Sequence, residues 1–196
     1  MNTTEAIRRY VKDHPEEIVD AAFLHKTLFP IIKKQTYLKL FSRLAEEGTI
    51  KSVGRGVYAP ASLPDEKVDE AILDYYANHG NGMLYGDALY FALGLASCPA
   101  ETTMIYTNRL ENGKKKHVSS YELIGADIVF DDEAKDLITL LELIEDHAYA
   151  ISLDSKKYAE IYNKLSRQDY SYELFEEIIK SIKYKDSTIT ILKNMA

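Results

Sequence analysis

The chain has 196 residues, 46% of them hydrophobic and 28% charged, with a net charge of −7, enough apolar content for one large core or two small ones. A single cysteine, Cys98, excludes an internal disulfide framework and suits a reducing cytoplasm. No charged, apolar, small-residue leader follows Met1 and no run of about 18 apolar residues occurs, so neither secretion nor a membrane span is expected.

In chain order, Asn2 with Glu5 three positions on resembles a capping box, and Ile7, Tyr10 and Val11 make the apolar stripe of a first helix over residues 3–13. Ile18 and Val19 suit a short strand. Asp20 is placed to cap a second helix over residues 21–29, with Ala22, Phe23 and Leu28 expected to face inward and Pro30 marking the turn that follows. Tyr37, Leu40, Phe41 and Leu44 then recur at i, i+3, i+4 and i+7, the spacing of a helix with one buried face. Gly48 is a natural stop for it, because glycine enters the left-handed region without steric cost. Residues 50–53 and 57–59 read as two short strands joined by Gly54-Arg55-Gly56, where glycine supplies the positive φ of a tight hairpin.

Three helices followed by a hairpin that returns to the first strand is the order of a winged helix-turn-helix, the third helix being the one that enters DNA. Lys33, Lys34, Gln35, Thr36, Lys39, Ser42 and Arg43 lie at that helix's start or opposite its apolar stripe. Side chains near the N-terminus of such a helix read base edges, so Gln35, Thr36 and Lys39 are the candidates for base contact. Lys33, Lys34, Arg43, Lys51 and Arg55, the last at the hairpin tip, suit phosphates, and Ser42 completes the face. Charge follows the same division: residues 1–63 hold ten Lys and Arg against seven Asp and Glu, a net +3, which leaves −10 for the rest. An acidic body limits indiscriminate adhesion to DNA while the basic module attracts it locally.

Apolar periodicity lapses over residues 61–67, between Pro60 and Pro64, which marks a linker and a second domain from residue 64 to 196. That domain reads as mixed α and β. Residues 68–78 and 87–93 are helical, with Gly80, Gly82 and Gly86 in the turn between them. Residues 103–107 and 117–118 flank an Asn112-Gly113 turn and read as paired strands, with residues 124–130 as a third. Residues 135–145 carry leucine and isoleucine around most of a helix, which should be largely buried, and helices over residues 156–165 and 172–182 close the chain. The expected class is therefore α+β: an N-terminal winged helix-turn-helix and a mixed α/β C-terminal domain with a small antiparallel sheet.

Catalytic and metal chemistry finds little support. Gly80, Gly82 and Gly86 miss the G-x-G-x-x-G spacing by one position and precede no Lys-Ser/Thr pair. His14, His25, His79, His117 and His147 show no paired ligand spacing, and Cys98 has no cysteine partner for zinc. Asp131, Asp132, Glu133 and Asp136 suit the acidic first turn of the helix they open. His117 beside Ser119 and Ser120 is no triad, because adjacency does not bring nucleophile, base and orienting acid together in space. No cofactor is expected.

The whole chain resembles the AbiEi-like antitoxins and transcriptional regulators of bacterial type IV toxin-antitoxin systems. The resemblance is carried by Arg43-Leu44, by Glu47-Gly48-Thr49-Ile50 running into Gly54-Arg55-Gly56-Val57-Tyr58-Ala59-Pro60, by Gly86 before Ala88 and Leu89, by Leu93-Gly94-Leu95 with Pro99, and by Thr107-Asn108-Arg109. The chain departs from the family's pattern where Ala96-Ser97-Cys98 replaces a threonine and glutamine pair. The resemblance implies an autorepressor of its own operon, with the winged helix on double-stranded operator DNA as repeats and the C-terminal domain supporting antitoxicity and cooperative or dimeric binding. The functional partner it implies is a nucleotidyltransferase-like toxin, opposed through its effect without a required complex. Two other readings of the same features are a stand-alone regulator and a protein-binding adaptor. In the latter Tyr158, Tyr162, Tyr170, Tyr172 and Tyr184 would be interface aromatics.

Overall fold

The computed structural model describes residues 3–194, so the Asn2 capping box lies outside the described residues. Within them the chain is mixed α and β, with ten α-helices and seven strands. It divides into two compact units: residues up to 75 together with 117–119, and residues 76–116 together with the chain from 120 onward.

In the first unit, α1 (Thr3–Asp13) buries Ile7 and Val11 as the stripe predicts. The strand β1 (Val19–Asp20) leads directly into α2 (Ala21–Leu28), because the Asp20 carboxylate accepts from the N–H groups of Ala22 and Phe23 at 3.0 and 3.2 Å. The inward face of α2 differs from the sequence reading. Ala21 and Leu24 are buried, while Ala22 and Leu28 are exposed and Phe23 is half-buried. With Asp20 as cap, Ala21 takes the first turn of the inward face, and His25 one turn on packs its ring 4.8 Å from Tyr37 and bonds the Ile32 carbonyl at 2.7 Å.

The helix α3 (Lys34–Glu46) buries Tyr37, Phe41 and Leu44. It ends as expected at Gly48, whose φ is +70°. The Gly48 N–H donates to the Ala45 carbonyl and the Thr49 N–H to the Leu44 carbonyl, the paired bonds of a Schellman stop. Strands β2 (Ile50–Gly54) and β3 (Val57–Pro60) then form the hairpin, with Gly56 at positive φ in its turn. β1 lies antiparallel against β3, Val19 opposite Tyr58. On the other side Gly54 faces Val118 so closely that a Cβ would stand 3.2 Å from the Val118 Cα.

The second unit departs further from expectation. After α4 (Val68–Ala77), most of which belongs to the first unit, comes a strand, β4 (Gly82–Tyr85), where the sequence suggested only a turn; α5 (Asp87–Ala92) follows. β5 (Thr103–Thr107) does not pair with residues 117–118. It lies between β4, antiparallel, and β7 (Tyr121–Gly125), parallel, while β6 (Lys115–Val118) begins beside β7, Lys115 pairing with Glu122. The sheet is thus mixed rather than antiparallel. The cause is visible at Gly125: a Cβ there would stand 1.9 Å from the Glu111 carbonyl oxygen, so its absence lets the chain after β5 cross the end of β7 and reach its far side.

Five helices complete the unit: α6 (Asp132–Glu145), α7 (His147–Leu153), α8 (Ser155–Leu165), α9 (Tyr172–Ser181) and α10 (Asp186–Lys193). α6 is buried along most of its length and forms the centre of the core. Among its buried residues is Glu142, whose Oε1 accepts from the hydroxyls of Tyr106 at 3.3 Å and Tyr184 at 3.1 Å. Burial pushes this carboxyl up to about 7; the two tyrosine bonds oppose the rise, and the charges of Asp146 and Glu145 add to it. A raised carboxyl favours the folded state while protonated. Its contribution is therefore complete below the ordinary carboxylate range and is lost as pH climbs from about 4.5 to about 7, a change on the order of 3 kcal/mol. Glu142→Gln removes this loss, and denaturant titrations at pH 5 and pH 8 should show a smaller stability difference for the variant than for the parent. An equal difference would assign the pH dependence to other groups.

Candidate nucleic-acid interface

An aromatic stack running through α3 sets the attitude of the basic face. The ring of Tyr37 lies 5.9 Å from Phe29 and 5.0 Å from Phe41, and Phe41 lies 5.1 Å from Tyr58 of β3. Tyr37 and Phe41 are fully buried. Because buried and exposed positions alternate with the helical period, fixing these rings fixes the direction of everything opposite them.

What lies opposite is polar and cationic. Lys33, Lys34, Gln35, Thr36, Lys39, Ser42, Arg43 and Arg55 are all exposed. Gln35, Leu38, Lys39 and Ser42 share one face of α3 by their spacing, and between Lys34 and Ala45 the helix carries no carboxylate. Among the described residues, Lys33, Lys34, Lys39, Arg43 and Arg55 join no ion pair, whereas Arg8 pairs with Glu47 and Arg9 with Asp13. Lys33 is the N-cap residue of α3, and no side chain caps that end, so the first backbone N–H groups of the helix have no capping acceptor. Ser42 points its hydroxyl back toward the Leu38 carbonyl at 3.5 Å.

Lys51 stands apart from this set. Its ammonium donates to the Leu63 carbonyl at 2.6 Å and pairs with Asp65, and the residue is half-buried. It ties β2 to the segment that leaves the hairpin. The sequence spacing could not reveal this, because both partners lie beyond Pro60.

Other candidate chemistry has structural employment. Asp131 caps α6 through the Ala134 N–H, Glu133 accepts from the Ser171 N–H, and Asp136 accepts from the Gln168 amide. His14 stacks on Tyr10, and His147 bonds the Tyr158 hydroxyl at 2.7 Å. Among the described residues no three His, Cys, Asp or Glu side chains are grouped as metal ligands would be, and no helix is long and apolar enough to cross a membrane. Of the five C-terminal tyrosines, Tyr158 is buried in the core of the second unit, Tyr162, Tyr170 and Tyr184 pack half-buried against it, and Tyr172 is exposed.

Leu38 is the exposed residue of this face that sequence reasoning passed over. The signal was present: it is a leucine lying off the Tyr37, Leu40, Phe41 and Leu44 stripe, and it is exposed. No protein-family model matches the chain, and no curated protein matches it either.

Proposed function

We propose that α1 to β3 form a winged helix-turn-helix that binds double-stranded DNA, with α3 in the major groove and the β2–β3 hairpin as the wing along the backbone. The observation that carries this reading is the unpaired cationic face of α3, held outward by a buried aromatic stack. Lys33, Lys34, Arg43 and Arg55 neutralise phosphates, while Gln35, Thr36 and Lys39 meet base edges and Ser42 borders them. The uncapped N-terminus of α3 suits a phosphate as well, since free N–H groups and the helix dipole both favour an anion. Lys51, engaged by Asp65, holds the wing in place.

In the cell, this module makes the chain an autorepressor that occludes its own promoter. The resemblance of residues 43–60 and the shorter motifs after them supports the further reading of an AbiEi-like antitoxin, whose partner is a nucleotidyltransferase-like toxin opposed through its effect. One small module specifies few base pairs, so paired half-sites or a dimer on DNA belong to the same account.

Fluorescence anisotropy on DNA from upstream of the chain's own coding region, titrated with salt, tests the electrostatic part. The logarithm of affinity should fall by roughly 0.9 per phosphate contact for each decade of salt, so four contacts give a slope near −3.6. A flat salt response would remove the phosphate contacts and the reading with them.

A further inference from the structure

Among the described residues of the first unit, large hydrophobic side chains are exposed at three places only: Leu28 at 55%, Ile31 at 97% and Leu38 at 40%. All three fall between the end of α2 and the middle of α3, inside the segment that also carries Lys33, Lys34 and Lys39. Elsewhere in this unit the large apolar side chains are buried or half-buried.

Leu38 is the central member. On a helix its neighbours are the residues three and four positions away, here Lys34, Gln35 and Ser42 on the exposed side, with Lys39 adjacent in sequence. An apolar group is thus framed by two lysines, an amide and a hydroxyl, with the nearest carboxylate of the helix at Glu46. A second copy of this face would bring like charges together. The surface that complements such a frame is anionic at its edges and locally apolar within, and the major groove of thymine-containing DNA has that character: phosphates along both rims and the 5-methyl of thymine on its floor.

We infer that Leu38 reads DNA sequence by packing on thymine methyl groups, so that the preferred site carries thymine opposite the middle of α3. The inference rests on the DNA-binding reading above. It assigns Gln35 and Lys39 to the polar edges of bases on either side of that contact, and it makes Leu38 a specificity residue rather than a source of general affinity.

The experiment is a two-by-two comparison of the full chain and Leu38→Ala, each on upstream DNA and on the same duplex with every thymine replaced by deoxyuridine. Deoxyuridine pairs like thymine and lacks only the methyl. The parent should lose about fourfold in affinity for each methyl it covers, the transfer free energy of one buried carbon. Leu38→Ala should lose a similar factor on the thymine duplex and show no further loss on the deoxyuridine duplex, because both changes remove one contact. Circular dichroism should find the variant folded, since alanine is a strong helix former at an exposed position. Independent, multiplying losses, or no loss in either arm, would overturn the thymine assignment while leaving DNA binding standing. Failure of the folded parent to bind the thymine duplex at all would overturn the DNA-binding reading itself and make the apolar-basic face a protein-docking surface.

Discussion

Replacing Lys34, Lys39 and Arg43 together by alanine is expected to lower affinity for the upstream DNA by about 100-fold at physiological salt. The phosphate contacts of Lys34 and Arg43 are each worth about 0.7 decades there through counterion release and together should flatten the salt slope by about 1.8, and the base contact of Lys39, worth about 1 kcal/mol or more, supplies the rest. Stability should barely change. The three side chains are exposed and join no ion pair among the described residues, and surface substitutions of that kind stay within about 0.5 kcal/mol. Anisotropy and thermal melting measured on the same preparation separate the two effects. A variant that melts like the parent and binds like the parent would mean that α3 is not the DNA-contacting helix.

Phe41→Ala should fail in the opposite way. Its ring is fully buried and lies about 5 Å from both Tyr37 and Tyr58, so truncation removes the link between α3 and β3 and leaves a cavity. Such a change costs about 3 to 5 kcal/mol. A small domain holds on the order of 5 to 15 kcal/mol in all, so much of the first unit's margin would go. Denaturant titration should show the loss directly, and DNA binding should decline in step with the unfolded fraction rather than through the salt slope. A loss under 1 kcal/mol would show that something other than this stack seats the helix. Together the two variants separate the proposed binding face from the core that aims it.

The features legible in the sequence were those governed by local rules. The stripe of α3, its stop at Gly48, the capping of α2 by Asp20 and the glycine turn of the hairpin each depend on residues a few positions apart, and each occurs in the structure. Exposure of the basic set followed from the same periodicity. What the sequence concealed was non-local. β4 is four residues that begin at Gly82 and stop before Gly86, too short to show alternation, and the parallel pairing of β5 with β7 depends on a chain crossing that only the missing Cβ of Gly125 permits. The inward face of α2 was misjudged because eight residues define a stripe poorly and His25, a polar residue, takes part in it. Lys51 looked like its neighbours in charge, and its partner Asp65 lies fourteen residues away. Glu142 sits in an apolar run, and only the tyrosines from β5 and from the segment before α10 explain its burial.

Footprinting of the full chain on DNA upstream of its own coding region tests the central claim most directly. Protection confined to one or two short blocks, spaced by a helical turn or a multiple of it and lost on shuffled DNA, is the predicted result. Uniform or absent protection, at concentrations where the protein is folded, would contradict it.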